Sequence, residues 1–213
     1  MSDVPMRIES VIKDRLAPML RSEGFAGSGR TFRRTRNGYI HVVNIQGSRY
    51  GGQFTINLAI QPVAVPDVLG NEPDPKKIVE SECEFRKRLS ETGADQWWKY
   101  DDLESLEQAM SDAANGYLKH GRVAFEAMST SPSPIEVITA NQLAEGCYGF
   151  NGFGSTKVRM ALVLARLREA EGRKEEAVSF AIYGLENTGK AFSLIPELER
   201  IAALAKNSIS QTL

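Results

Sequence analysis

Polar and apolar positions alternate most cleanly between Tyr39 and Ile60, in the stretch YIHVVNIQGSRYGGQFTINLAI. Phe54, Ile56, Leu58 and Ile60 fall on one side of an extended chain, and Gln53, Thr55, Asn57 and Gln61 on the other. Period-two alternation of this kind predicts a strand in a sheet covered on one side. Tyr39, His41, Val43 and Ile45 continue the apolar side on the preceding strand, which puts Asn44 and Gln46 beside Thr55 and Asn57. Ile40 and Val42 break the alternation and predict that this strand starts out covered on both sides. Upstream, TFRRT (residues 31–35) reads as a short strand. Asn37-Gly38 then reads as a two-residue hairpin turn, because both residues tolerate positive φ.

The flanking segments have helical spacing. Ile8, Val11, Ile12, Leu16, Met19 and Leu20 form one apolar face of a helix over residues 5–24. Ser2, Asp3 and Pro5 stand at its start, and Pro18 should kink it by removing a backbone donor. Gly24 should end it, with Phe25 folding back on the apolar face, and Gly27–Gly29 reads as a turn. Residues 62–75 carry four prolines and read as a surface loop, followed by a helical turn at Lys76–Glu80 capped by Asp74. ECEFRKRL (residues 82–89) fits a fourth strand better than a helix, with Cys83, Phe85 and Leu89 pointing in and Glu82, Glu84, Arg86 and Arg88 pointing out. A helix follows over about 103–119, broken or bent by Gly121 and continued by Val123–Met128. STSPSP (Ser129–Pro134) has linker composition, and helices are predicted at Ile135–Glu145, Ser155–Glu171, Lys174–Glu186 and Pro196–Asn207. The fold class expected is α+β: an antiparallel sheet of about four strands packed against helices (residues 1–130), then an all-helical extension (131–213).

Charge is distributed unevenly. The chain carries a net charge of −1, yet residues 24–66 hold five arginines (Arg30, Arg33, Arg34, Arg36 and Arg49), no lysine and no acid. Residues 67–115 hold 13 acids against six bases. The arginines therefore either pair with the acidic segment or present a cationic, amide-rich sheet face to a ligand. Two scattered cysteines, Cys83 and Cys147, fit free thiols in a reducing compartment. No apolar run approaches the roughly 18 residues of a membrane span, and the N-terminus lacks the apolar core of a signal peptide. A soluble cytoplasmic protein without membrane partners is expected.

Recognisable catalytic spacing is lacking. His41 and His120 are far apart, no zinc-ligand pattern occurs, and neither a cofactor nor a metal is expected. Gly149 and Gly154 have the spacing of a phosphate-binding loop, but Lys157 follows Ser155-Thr156 instead of Gly154, so the stretch reads as a helix connection capped by Ser155. Asp101-Asp102 reads as a helix cap. Trp97-Trp98 is the most unusual dipeptide. Adjacent aromatics face different ways, so either both seal the sheet–helix boundary or one enters the core and the other lies at the surface.

Leu20, Gly24-Phe25, Thr31-Phe32-Arg33-Arg34, Asn44-Ile45-Gln46, Phe54-Thr55-Ile56-Asn57, Arg88-Leu89 and Asp95-x-Trp97-Trp98, in that order, resemble the bacterial family called domain of unknown function 4304. Ser90 stands where that family usually has glycine. The resemblance covers residues from about 5 to 130 and implies an antiparallel sheet against helices; it implies no activity, cofactor or catalytic residue. Leu164-Ala165, Gly172, Ala177 and Ala181 resemble part of a tetratricopeptide-type helical hairpin. The function expected from these features is a non-catalytic protein-interaction module, of which an immunity-type neutralising role is one form. The alternatives are nucleic-acid or phosphate-ligand binding through the Arg-rich sheet face, and an enzyme with a non-standard site near His41 or the tryptophans. The candidate binding residues are Arg30, Arg33, Arg34, Asn44, Gln46, Arg49, Asn57, Trp97 and Trp98. Neither length nor patterning indicates an oligomeric state.

Overall fold

A computed structural model describes residues 8–67, 70–146 and 149–205. The expected caps Ser2, Asp3 and Pro5, together with Cys147 and the end of the last predicted helix, lie outside the described residues. The chain opens with α1 (Ile8–Val11), a π-helical turn (Ile12–Leu16) and α2 (Ala17–Ser22). Pro18 sits in the first turn of α2, directly after the π-turn, so the missing donor is absorbed by a local widening of the helix. Helix α2 ends as expected: Phe25 N–H donates to Leu20 O at 3.0 Å around Gly24, and the Phe25 ring is buried.

Six strands follow: β1 (Ala26–Ser28), β2 (Thr31–Arg36), β3 (Tyr39–Gly47), β4 (Gln53–Pro62), β5 (Phe85–Arg88) and β6 (Trp98–Lys99). They form one antiparallel sheet in the order β1-β2-β3-β4-β5, and β6 also pairs with β4. Asn37 (φ 52°) and Gly38 (φ 79°) make the predicted β2–β3 turn. The register sets Asn44 opposite Asn57 and Ile45 opposite Ile56, as the alternation required. The predicted turn at Gly27–Gly29 is instead mostly strand. Three residues of Ala-Gly-Ser carry no alternation to read, and Gly27 is held so close to β2 that a Cβ would lie 2.3 Å from Thr31 O.

One large apolar cluster joins α1, α2, the first side of the sheet and all the later helices. Those helices are α3 (Leu103–Gly116), α4 (Arg122–Ser129), α5 (Pro134–Val137), α6 (Ala140–Glu145), α7 (Lys157–Ala170), α8 (Lys174–Glu186) and α9 (Ile195–Ala202). Asp102 caps α3, accepting from Ser105 N–H at 2.8 Å. The break expected at Gly121 is a π-turn (Tyr117–Gly121) that keeps α3 and α4 continuous. Thr156, not Ser155, stands at the N-cap of α7, and its side chain makes no capping bond. Helices α7, α8 and α9 stack in sequence, with Ala165, Ala177 and Ala181 buried between them and Gly172 in the α7–α8 turn. Ser129–Pro134 is tied to the sheet: Asn37 Nδ2 donates to Ser129 O at 3.0 Å, and Tyr39 Oη lies 3.0 Å from Ser133 Oγ. No described helix is long and apolar enough to cross a membrane.

Candidate binding surface

The second side of the sheet is not simply open. Ile40, Val42 and Ala59 are buried there against Ile78 and Cys83, so the Pro-rich segment after β4 straps that end of the sheet. The double coverage expected at Ile40 and Val42 is present. Cys83 is a correction. It precedes β5 and packs on the second side, while Phe85 lies with the main core. Burial raises the Cys83 thiol pKa well above its ordinary value. Glu84 is a second correction: it is buried, and Arg159 Nε donates to its Oε2 at 3.1 Å. Gln61 is covered too, donating to Val65 O and accepting from Glu84 N–H. At the other end, Thr55 is sealed by the chain at Gln96, whose carbonyl accepts its hydroxyl at 2.9 Å. Long-range loops thus remove from water polar positions that alternation alone assigns to solvent.

The candidate arginines part company. Arg33 donates to the carbonyls of Ile78 and Lys77, the latter at 2.9 Å, and so fastens the strap. Arg30 pairs with Glu9 at 2.8 Å. Arg49 lies 4.6 Å from the centroid of the Tyr50 ring in the β3–β4 turn, where Tyr50 is largely exposed. Arg34 points to the core side and is 8 % exposed. Its Nη1 donates to Glu23 O at 2.7 Å, its Nε to His41 Nδ1 at 3.1 Å, and its guanidinium lies 4.6 Å from the Phe25 ring centroid. Thus the acidic segment engages Arg33 through carbonyl oxygens, while Arg30 and Arg34 pair with acids of the first helices.

His41 is fully buried and stacks on Phe125 at 4.5 Å and 6°. Burial, with Arg34 and Arg36 nearby, pulls its pKa down to about 3, so the imidazole is neutral and accepts from Arg34. Tyr117 lies edge-on to Phe25 in the same cluster, and burial raises its phenol pKa above the ordinary range.

The part of the second side left partly open is a row across four strands. Asn44 Nδ2 donates to Thr31 Oγ1 at 3.1 Å, and Asn57 Nδ2 donates to Gln46 Oε1 at 2.9 Å and to Asn44 Oδ1 at 3.4 Å. Arg88 stands opposite Asn57 on β5. Its guanidinium lies 5.0 Å from the centroid of the Trp97 ring and donates to Asp95 at 2.5 Å, while Trp97 Nε1 donates to the same carboxylate at 3.2 Å. Those two bonds hold the Asp95 carboxyl pKa below its usual range. The tryptophans take the second of the two arrangements expected, one inside and one at the surface: Trp98 is buried and stacked on Phe54 at 5.7 Å, and Trp97 is half-buried at the end of the row. Asn44, Gln46, Asn57 and Trp97 therefore come together, whereas Arg30, Arg33, Arg34, Arg49 and Trp98 are held elsewhere. Arg88 and Asp95 were missing from the sequence-based candidates. Their signal was present, since the predicted strand puts Arg88 on the Asn57 side and Asp95 is two residues from Trp97.

The row runs entirely through the part of the chain that matches a known family model. Comparison with curated proteins and with solved structures returns no match. The model described as a domain of unknown function, DUF4304, matches residues 16–123, just over half of the chain, including every strand of the sheet. The chain belongs to the DUF4304 family, and α5 to α9 form a helical extension beyond the matched region.

Proposed function

We infer that the protein is a protein-binding module whose contact surface is the Thr31–Asn44–Asn57–Arg88–Trp97 row. One observation carries this reading: Trp97 and Arg88 are half-buried, stacked, and locked by a shared carboxylate beside a pre-formed amide ladder. Tryptophan and arginine held rigidly in a partly buried setting are the residue types that dominate protein interfaces. Four strands at about 4.8 Å spacing give the row a width of about 14 Å, enough for a central interface cluster. The arginine in the row, Arg88, is paired with Asp95, and Arg33 and Arg34 of β2 spend donors on backbone carbonyls of other segments. That favours a protein surface over a nucleic-acid backbone, which would demand several uncompensated cations.

A photo-crosslinking residue at Gln46, on the exposed end of the row, identifies the partner, and titration then measures its affinity. Trp97→Ala should weaken binding by at least tenfold, about 1.4 kcal/mol, whereas Phe192→Ala, an exposed position in the helical extension, should not. Unchanged affinity in Trp97→Ala, or crosslinks to nucleic acid alone, would overturn the reading.

A further inference from the structure

Two clefts adjoin along β5, the strand that bears the Arg88 end of the amide row. One, of about 580 Å³, lies between the β5–β6 loop and the turn at Asn151-Gly152. The other, of about 400 Å³, lies against the outer side of α4. Lys87, Ser90 and Asn151 line both, so the two make one trough. Its charge is one-sided. Lys87 and Lys119 line it beside the His120 imidazole, and among the described residues neither lysine forms an ion pair. The carboxylate lining it, Asp95, is already bound by Arg88 and the Trp97 indole.

Lys87 occupies a position that strand geometry reserves for an apolar side chain. It sits opposite Leu58, between the buried Phe85 and Leu89. Its ammonium donates to Asn151 O at 2.6 Å and lies 5.5 Å from the Phe153 ring centroid. Two of its three N–H bonds remain for other acceptors. Asn151 (φ 49°) and Gly152 (φ 80°) make a left-handed turn, closed by Phe153 N–H donating to Phe150 O at 2.8 Å, that presents this carbonyl. Half-burial without a carboxylate lowers the Lys87 pKa, the mark of a charge that an anion would stabilise. On the α4 side the trough wall is apolar, formed by Val123, Ala124 and Ala127.

We propose that the trough binds a small organic phosphate, with the phosphate among Lys87, Lys119 and His120 and the apolar body on Val123 and Ala127. Ammonium groups act as point charges on a compact, multiply charged anion, whereas a planar carboxylate is better served by the fork of an arginine. The trough thus places phosphate recognition away from Arg30, Arg33, Arg34 and Arg49, where the pattern of arginines alone had put it.

Isothermal titration with phenyl phosphate tests the proposal, with benzoate and inorganic phosphate as counterparts. Phenyl phosphate should bind more tightly than either. Lys87→Met keeps the aliphatic stem over Phe153 and should weaken phenyl phosphate at least tenfold with no loss in melting temperature. If Lys87→Met does not fold, Lys119→Gln and the exposed Val123→Asp provide the same reading, each with a loss of at least threefold. Phe192→Ala, an exposed position that lines neither cleft, should leave this affinity unchanged. Absence of binding, equal affinity for benzoate, or full affinity in the folded charge variants would overturn the assignment.

Discussion

His41 lies on the apolar side of β3 between Phe125 and Arg34, and its neutrality follows from where it is. Its folded pKa, about 3, is below the ordinary value of 6.5. Above pH 6.5 the imidazole is neutral in both folded and unfolded chains and contributes no pH dependence. As pH falls below 6.5 the unfolded chain takes up a proton that the folded chain refuses, so stability falls by about 1.4 kcal/mol per pH unit toward pH 3. Urea unfolding at pH 7.5 and pH 5 should therefore show a loss about 2 kcal/mol larger in the wild type than in His41→Gln. Equal losses in the two proteins would mean that the imidazole protonates inside the fold. The buried histidine was legible, because it occupies an apolar position in an alternating strand. Its arginine partner was not, because Arg34 is read from the sequence as one more member of a basic run.

The joint between α3 and α4 illustrates a limit of propensity rules. Replacing glycine by alanine inside a helix ordinarily stabilises by about 1 kcal/mol. Gly121 has helical dihedrals (φ −69°, ψ −47°), yet a Cβ there would lie 2.7 Å from the Tyr117 ring and 3.4 Å from Leu89. The π-turn exists where that ring folds over the glycine and packs against Phe25. Gly121→Ala should therefore destabilise by about 1–3 kcal/mol through overpacking. Chemical denaturation of this variant would show a stabilisation instead if the ring were free to move aside. Gly184 in α8 is under the same constraint from Leu198 and Ala161, which sets how closely α7, α8 and α9 approach.

At the scale of the whole molecule, the helical extension closes the β5 side of the sheet. Gly154 bridges to Arg86 in antiparallel fashion, Phe150 packs edge-on against Phe85 at 5.3 Å, and Phe153 packs on Phe125 at 5.8 Å. The Arg159–Glu84 pair ties α7 to the segment just before β5, with Glu84 almost fully buried. Removing only the arginine takes a charge-assisted bond from a buried carboxylate, so Arg159→Met should cost about 1–3 kcal/mol in urea unfolding, and Glu84→Gln in the same chain should restore part of it. Independent, additive effects would show that the pair is not the tie between these segments.

What the sequence determined by itself was local. The alternation of Tyr39–Ile60, the Asn37-Gly38 turn, the Asp102 cap and the helical stripes each depend on residues a few positions apart, where backbone geometry imposes the pattern. The α+β class followed from these, and the family from the ordered resemblance of short motifs such as Gly24-Phe25 and Asp95-x-Trp97-Trp98. Tertiary structure decided which polar positions reach water. Thr55, Gln61 and Glu84 look like solvent-facing strand residues, and each is covered by chain 23 to 75 positions away. It also decided which arginines are free. Arg33, Arg34 and Arg88 differ little in sequence context, but one clamps the strap, one is enclosed by aromatics, and one stacks on Trp97 at the surface. Charge and alternation propose a surface; only the folding of distant segments against it determines how much of that surface is left for a partner.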